Sequence, residues 1–136
     1  MRRFLDTNVL LYSISEQPNE RIKRNIAEEL LAEQSSALSV QVLQEFYTQA
    51  TRPTRPRALR HDDAVDLIRT WLRFPIQDMT VAVMGAALDI KARTKLSYWD
   101  AAIVAAASAL GCGELLSEDM QHGQTIDGVR ILNPFR

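Results

Sequence analysis

The sequence predicts a three-layer α/β/α sandwich around a central parallel sheet. Three observations predict it. Short apolar segments alternate with segments of helical periodicity along the chain, the pattern of a parallel sheet covered on both faces. The stretch "SYWDAAIVAAASALG" is rich in alanine and apolar nearly all round, so it reads as a buried helix. The chain has 136 residues, of which 46% are hydrophobic and 24% charged, enough for one globular domain over residues 1–136 with a substantial core.

The elements follow in order. Residues 3–5 read as a short buried strand ending at Asp6, with a helix beginning in "VLLY". Asn19 is placed to cap a helix over 20–34, whose Ile22, Ile26, Leu30 and Leu31 recur at helical spacing. "SALSV" at 36–40 reads as a second strand, and Ser39 as the N-cap of a helix over about 40–50. "TRPTRPRALRHDD" holds two prolines and four arginines and reads as a loop. A helix from His61 or Asp62 runs to near Phe74 and Pro75, and "PIQDM" is a third strand. Thr80 caps a helix to about Thr94, Ser97 starts the alanine helix, and Gly111 stops it. "GELLSED" gives a fourth strand and "VRILNPF" a last one.

Composition narrows the function. Net charge is −1, so any contact with nucleic acid needs a local patch or a bound cation. Cys112 is the sole cysteine, which excludes an intrachain disulfide and a cysteine-rich zinc site. There is no apolar run of about 18 residues to span a membrane. Asp6 and Asn8 interrupt the first apolar segment, unlike the core of a signal peptide, so the expected compartment is the cytoplasm. Neither a phosphate-binding Walker loop nor a GxGxxG occurs, and nothing resembles a nucleophile elbow. His61 and His122 read as surface residues.

Four acidic positions then stand out. Asp6 ends the first strand, Glu45 lies in the helix after the second, Asp100 opens the alanine helix, and Asp119 follows the fourth strand beside Glu118. Each has an ordinary reading. Asp6 fits a helix N-cap as well as a functional carboxylate. Glu45 is off the stripe of Val40, Leu43, Phe46, Tyr47 and Ala50, like a solvated glutamate. Asp100 lies three residues after Ser97, as in a capping box. Glu118 and Asp119 suit a turn. The case for function rests on the set. In an α/β sandwich, sites form beyond the carboxyl ends of the strands, where all four acids can meet. Crowded carboxylates raise one another's pKa and are stable together at neutral pH only with cations. Hard oxygen ligands suit Mg²⁺ or Mn²⁺, which can activate water for attack on a phosphodiester.

"FLDTNVLLY", "SVQVLQEFY", "LSYWDAAIVAAA" and "LLSEDMQHGQTIDGVRILNPF" together resemble a PIN domain, and among PIN domains the VapC-like toxin ribonucleases of toxin–antitoxin systems. The four blocks cover essentially the whole chain in order. The resemblance implies a Mg²⁺- or Mn²⁺-dependent endoribonuclease in which Asp6, Glu45, Asp100 and Asp119 form the acidic quartet. It implies Asp6, Asp100 and Asp119 as metal ligands, with Glu45 binding a second ion or positioning the attacking water. Asn8 and Ser117 support the site, and Glu118 is a near neighbour that faces solvent. Cleavage leaves 5′-phosphate and 3′-hydroxyl ends. Arg52, Arg55, Arg57 and Arg60 are candidates for contact with RNA phosphates, against the ordinary reading of a solvated loop. Trp99 could stack on a base, but core packing is the expectation for it. The resemblance also implies a homodimer and a cognate antitoxin protein as partners.

Two rival readings stand beside this one. A non-catalytic PIN-like module that binds RNA or protein would carry the same acids as structural groups. A phosphatase would need a second acid two residues after Asp6, where Asn8 stands, and a receiver domain would need paired acids and a late lysine, neither of which is found.

Overall fold

The structure, a computed structural model, describes residues 2–136. Its elements are β1 (Arg3–Leu5), α1 (Thr7–Ser13), a 3-10 turn (Pro18–Glu20), α2 (Arg21–Ala32), β2 (Ser36–Ser39), α3 (Val40–Ala50), α4 (His61–Trp71), β3 (Ile76–Gln77), α5 (Val81–Arg93), α6 (Tyr98–Ala109), β4 (Glu114–Leu116), β5 (Thr125–Ile126) and β6 (Val129–Leu132).

The strands form one sheet in the order β3-β2-β1-β4-β6-β5. β1 lies between β2 and β4 and pairs with both in parallel, Phe4 facing Ala37 on one side and Leu115 on the other. The chain therefore builds outward to β3, then crosses back to the other side of β1. That reversal makes the carboxyl ends of β1 and β4 the topological switch point, where such sheets leave a crevice.

Caps set where the helices begin. Asp6, Ser39, Thr80 and Ser97 each accept a backbone N–H of the first turn that follows. Gly111, at φ +71°, takes the left-handed conformation just past the end of α6. Residues 101–107 of α6 are buried without interruption. Their small side chains let α5 pack closely on one side while α6 touches β2, β3, β4 and β6. Helices α1 to α4 pack among themselves. β2 is buried at every residue, as a strand covered on both faces must be. Phe4, Leu5, Leu38, Phe46, Ile103 and Leu116 form the centre of the core. Full burial of each such side chain contributes about 1.5–3 kcal/mol.

The sheet is parallel through its centre, as expected, and the edge strand β5, which the sequence reading did not include, runs antiparallel to β6. Asp127 and Gly128 join these two strands with φ +48° and +81°, the paired positive φ of a two-residue type I′ hairpin. Three other expectations from the sequence are corrected. Asn19 caps nothing. Pro18 fixes the backbone one residue earlier, Asn19 falls inside the 3-10 turn, and α2 starts at Arg21 with Glu20 before it and no side-chain cap. Ile22 is exposed rather than part of the buried stripe, which begins further along α2 at Ala27, Leu30 and Leu31. Trp99 is 63% exposed; the continuous burial of α6 begins only at Ala101. Among the described residues, no helix is long and apolar enough to cross a membrane.

Candidate active site

Asp6 sits where β1 meets α1, and its capping reading holds. Its Oδ1 accepts the Thr7 N–H at 2.7 Å, capping α1. Its Oδ2 accepts the Ser117 hydroxyl at 2.6 Å, and its own N–H donates to the Leu116 carbonyl at 3.0 Å. The carboxyl ends of β1 and β4 are thus tied by backbone and side chain together. Ser117 is fully buried and acts as a hub, its Oγ also accepting the Asp119 N–H at 3.2 Å. Asn8 completes the corner. Its amide donates to Asp119 Oδ2 at 3.1 Å, and its Oδ1 accepts the Glu118 N–H at 3.4 Å.

Glu45 and Asp100 approach from the helices. Gln41, one turn before Glu45, donates Nε2 to Glu45 Oε1 at 3.1 Å and to the Trp99 carbonyl at 3.0 Å. That amide fastens α3 to the first turn of α6, where Asp100 accompanies the Ser97 cap. Glu45 is half-buried rather than solvated. Sequence reasoning missed Gln41, although its i,i+4 spacing to Glu45 was a readable signal. Its Oε1 is buried with no partner among the described residues.

The electrostatics follow from burial and crowding. Burial pushes Asp6 up to about 7. Ser117 and Thr7 oppose the rise, and the charges of Asp100 and Asp119 add to it. Burial also raises Glu45, against the Gln41 bond and with help from Asp100. Asp100 is raised by burial and by Asp119, with Ser97 opposing. The coupling runs in sequence: Glu45 feels Asp100, Asp100 feels Asp119, and Asp6 feels both Asp100 and Asp119.

Glu118 does not face solvent as expected. It accepts the Tyr12 hydroxyl, and Lys23 Nζ lies 2.6 Å from its Oε2. Burial works to raise its pKa, but the bonds from Lys23 and Tyr12 prevail and lower it. Its charge is already matched, and it anchors the end of β4 to α1 and α2. Asp119 is the member of the pair that joins Asn8 and Ser117.

The four loop arginines separate. Arg52, Arg57 and Arg60 are exposed, and Arg57 pairs with Glu16 at 2.6 Å. Arg55 is half-buried and lines a cleft of about 210 Å³ together with Asn8 and Asp119. His61 and His122 are exposed, bonded to the Tyr47 hydroxyl and the Asn133 N–H.

The PIN domain family model matches residues 3–125, which include all four acids and β1, α3, α6 and β4 in full. The chain belongs to the PIN domain family. Several solved structures share its fold. A toxin–antitoxin complex from Klebsiella pneumoniae is similar at TM-score 0.71 and 19% identity, covering 97% of each chain. VapC20 of Mycobacterium tuberculosis, a toxin that cleaves the sarcin–ricin loop, is similar at TM-score 0.65 and 20% identity, covering 83% of this chain and 86% of that one. DNA-bound VapBC from Salmonella typhimurium is similar at TM-score 0.68 and 19% identity, covering 96% of each chain. No curated protein matches the sequence.

The donor set of this PIN domain fits a hard divalent cation. Its candidate ligands are all oxygens, and Asp6, Glu45 and Asp100 each have a raised pKa to which a neighbouring carboxylate contributes. A cation between them relieves that repulsion. Among the described residues, no three acidic, histidine or cysteine side chains yet close on one point as a metal cage. Asp6 is instead held by Ser117 and Thr7.

Proposed function

We propose that this PIN domain is a metal-dependent endoribonuclease and the toxin of a toxin–antitoxin pair. One observation carries the reading: Ser117 and Asn8 bind Asp6 to Asp119 across the β1–β4 switch point, inside the charge field of Asp100. Four acids from distant parts of the chain are linked, Glu45 to Asp100 and Asp100 to Asp6 and Asp119. Apart from the cap that Asp6 gives α1, the raised carboxylates weaken the fold at neutral pH rather than support it.

Asp6, Asp100 and Asp119 would hold Mg²⁺ or Mn²⁺. When bound, the ion supplies a water activated for attack and stabilises charge on the phosphoryl group. Ser117 and Asn8 orient Asp6 and Asp119 through the bonds described above. Glu45, held by Gln41, positions the attacking water and accepts its proton at a carboxylate oxygen, a role its raised pKa suits.

The partners follow from surface chemistry and from the neighbours. Val81, Met84 and Leu88 follow one another at helical spacing on α5 and are exposed, as is Trp99. We assign this apolar face to a homodimer. A cognate antitoxin is proposed because the similar structures include toxin–antitoxin complexes.

The test is expression of wild type beside Asp100→Asn in cells, with growth and RNA 5′ ends recorded. New 5′ ends and arrested growth are expected for wild type alone. Equal growth and identical RNA ends would leave the acids as structural groups of a binding module.

A further inference from the structure

We infer that Arg55 holds a phosphate of the bound RNA strand, next to the one at the acids; this rests on the nuclease reading above. The cleft that contains Asn8 and Asp119 is also lined by Leu11, Tyr12, Glu20, Glu118 and Arg55. A second cavity of about 320 Å³ continues from it past Asn19 and Pro56, and Arg55 borders both. Arg55 is the one cationic residue among those lining the two cavities. A strand seated at the acids and leaving by this groove must pass it.

The guanidinium is available for that contact. Among the described residues it makes no ion pair, whereas Arg57 is taken by Glu16. The neighbouring carboxylates are also held. Glu118 is matched by Lys23, and Glu20 accepts the Ser15 hydroxyl at 2.6 Å. The loop fixes the Arg55 backbone at the rim of the cleft. Its N–H donates to the Arg52 carbonyl at 2.9 Å, its carbonyl accepts from Ala58 at 3.1 Å, and Leu59 returns to the Ala50 carbonyl at 2.8 Å. A planar fork in a partly desolvated groove suits a phosphate better than a lysine would. At the acids themselves, like charge repels the RNA backbone. Arg55 supplies the opposite charge a short distance away.

The experiment measures binding, by fluorescence anisotropy, of a short labelled single-stranded RNA of mixed sequence, across a salt series in calcium buffer. The proteins are wild type, Arg55→Ala, Arg55→Lys and Arg57→Ala. Arg55→Ala is expected to weaken binding about tenfold and to reduce the salt slope by about 0.7, the value for one phosphate contact on a single strand. Arg55→Lys recovers the slope and part of the affinity, and Arg57→Ala matches wild type. Wild-type binding and slope in a folded Arg55→Ala overturn the inference, even if wild type cleaves RNA in magnesium. Equal loss in Arg57→Ala overturns it too, by reducing the effect to loop charge. An Arg55-dependent slope in a protein that cleaves nothing keeps the phosphate site and removes the nuclease reading. A wild type that binds no RNA overturns both.

Discussion

Replacing Asp6 by asparagine is expected to make the metal-free protein more stable at about pH 8 and slightly less stable at about pH 4. Asp6 is buried, and its pKa rises from an ordinary 3.8 to about 7 on folding. Between those values the folded chain keeps a proton that the unfolded chain has released. Stability therefore falls as pH rises from about 4 and levels off above about 7. A shift of about three units at ~1.36 kcal/mol each makes the full cost about 4 kcal/mol. Asparagine carries no such cost. Its side-chain oxygen can replace only one of the acceptors for Thr7 N–H and Ser117 O–H, a loss of about 1 kcal/mol. The net gain at about pH 8 is then about 3 kcal/mol, reversing to a loss of about 1 kcal/mol at about pH 4, where wild-type Asp6 is largely protonated. Urea unfolding of both proteins in EDTA at several pH values measures it. Asp100 and Asp119 couple to Asp6, so the difference reports Asp6 together with that coupling. Adding Mn²⁺ at about pH 8 is expected to raise the midpoint of wild type and leave the variant unmoved. A wild type whose stability relative to the variant does not change with pH would refute the reasoning.

Two other perturbations follow from the same geometry. Gln41→Leu releases Glu45 from α6 and is expected to slow RNA cleavage at least tenfold while stability moves by less than about 1 kcal/mol, because the unpartnered Oε1 leaves with the donor; wild-type turnover in the variant would count against it. Leu88→Glu puts a charge on the exposed α5 face and is expected to convert a dimer to a monomer in sedimentation velocity; a monomeric wild type, or a dimeric variant, would remove that face as the interface.

Much of the fold was legible because its determinants are local. Ser39, Thr80 and Ser97 are caps with their helices directly behind them, and the structure keeps all three. The run Ala101–Ala107 announced a buried helix by composition alone. Trp99 was misjudged because the pattern of α6 says which helix is buried but not where burial starts along it. β5 is two residues long, too short for periodicity, and only the Asp127–Gly128 turn signals it. At the site, the positions of the acids relative to strand ends were readable. The partners that hold them were not. Ser117 lies 111 residues from Asp6, and Lys23 lies 95 from Glu118. No spacing rule links such pairs; only the sheet order does. The same limit hid which arginine borders the cleft.

The joining of β1 to β4 also fixes when the site can exist. A chain growing on a ribosome has made Asp6, Glu45 and Asp100 well before Ser117 and Asp119. Until then Asp6 Oδ2 has no hydroxyl to accept, Asn8 has no carboxylate to hold, and β1 lacks its second neighbour. The cleft is thus among the last features to form. A nascent PIN domain of this kind lacks these ties until residues 117–119 have been made, and a chain cut short before residue 117 carries three of the four acids without the partners that hold Asp6 and Asn8.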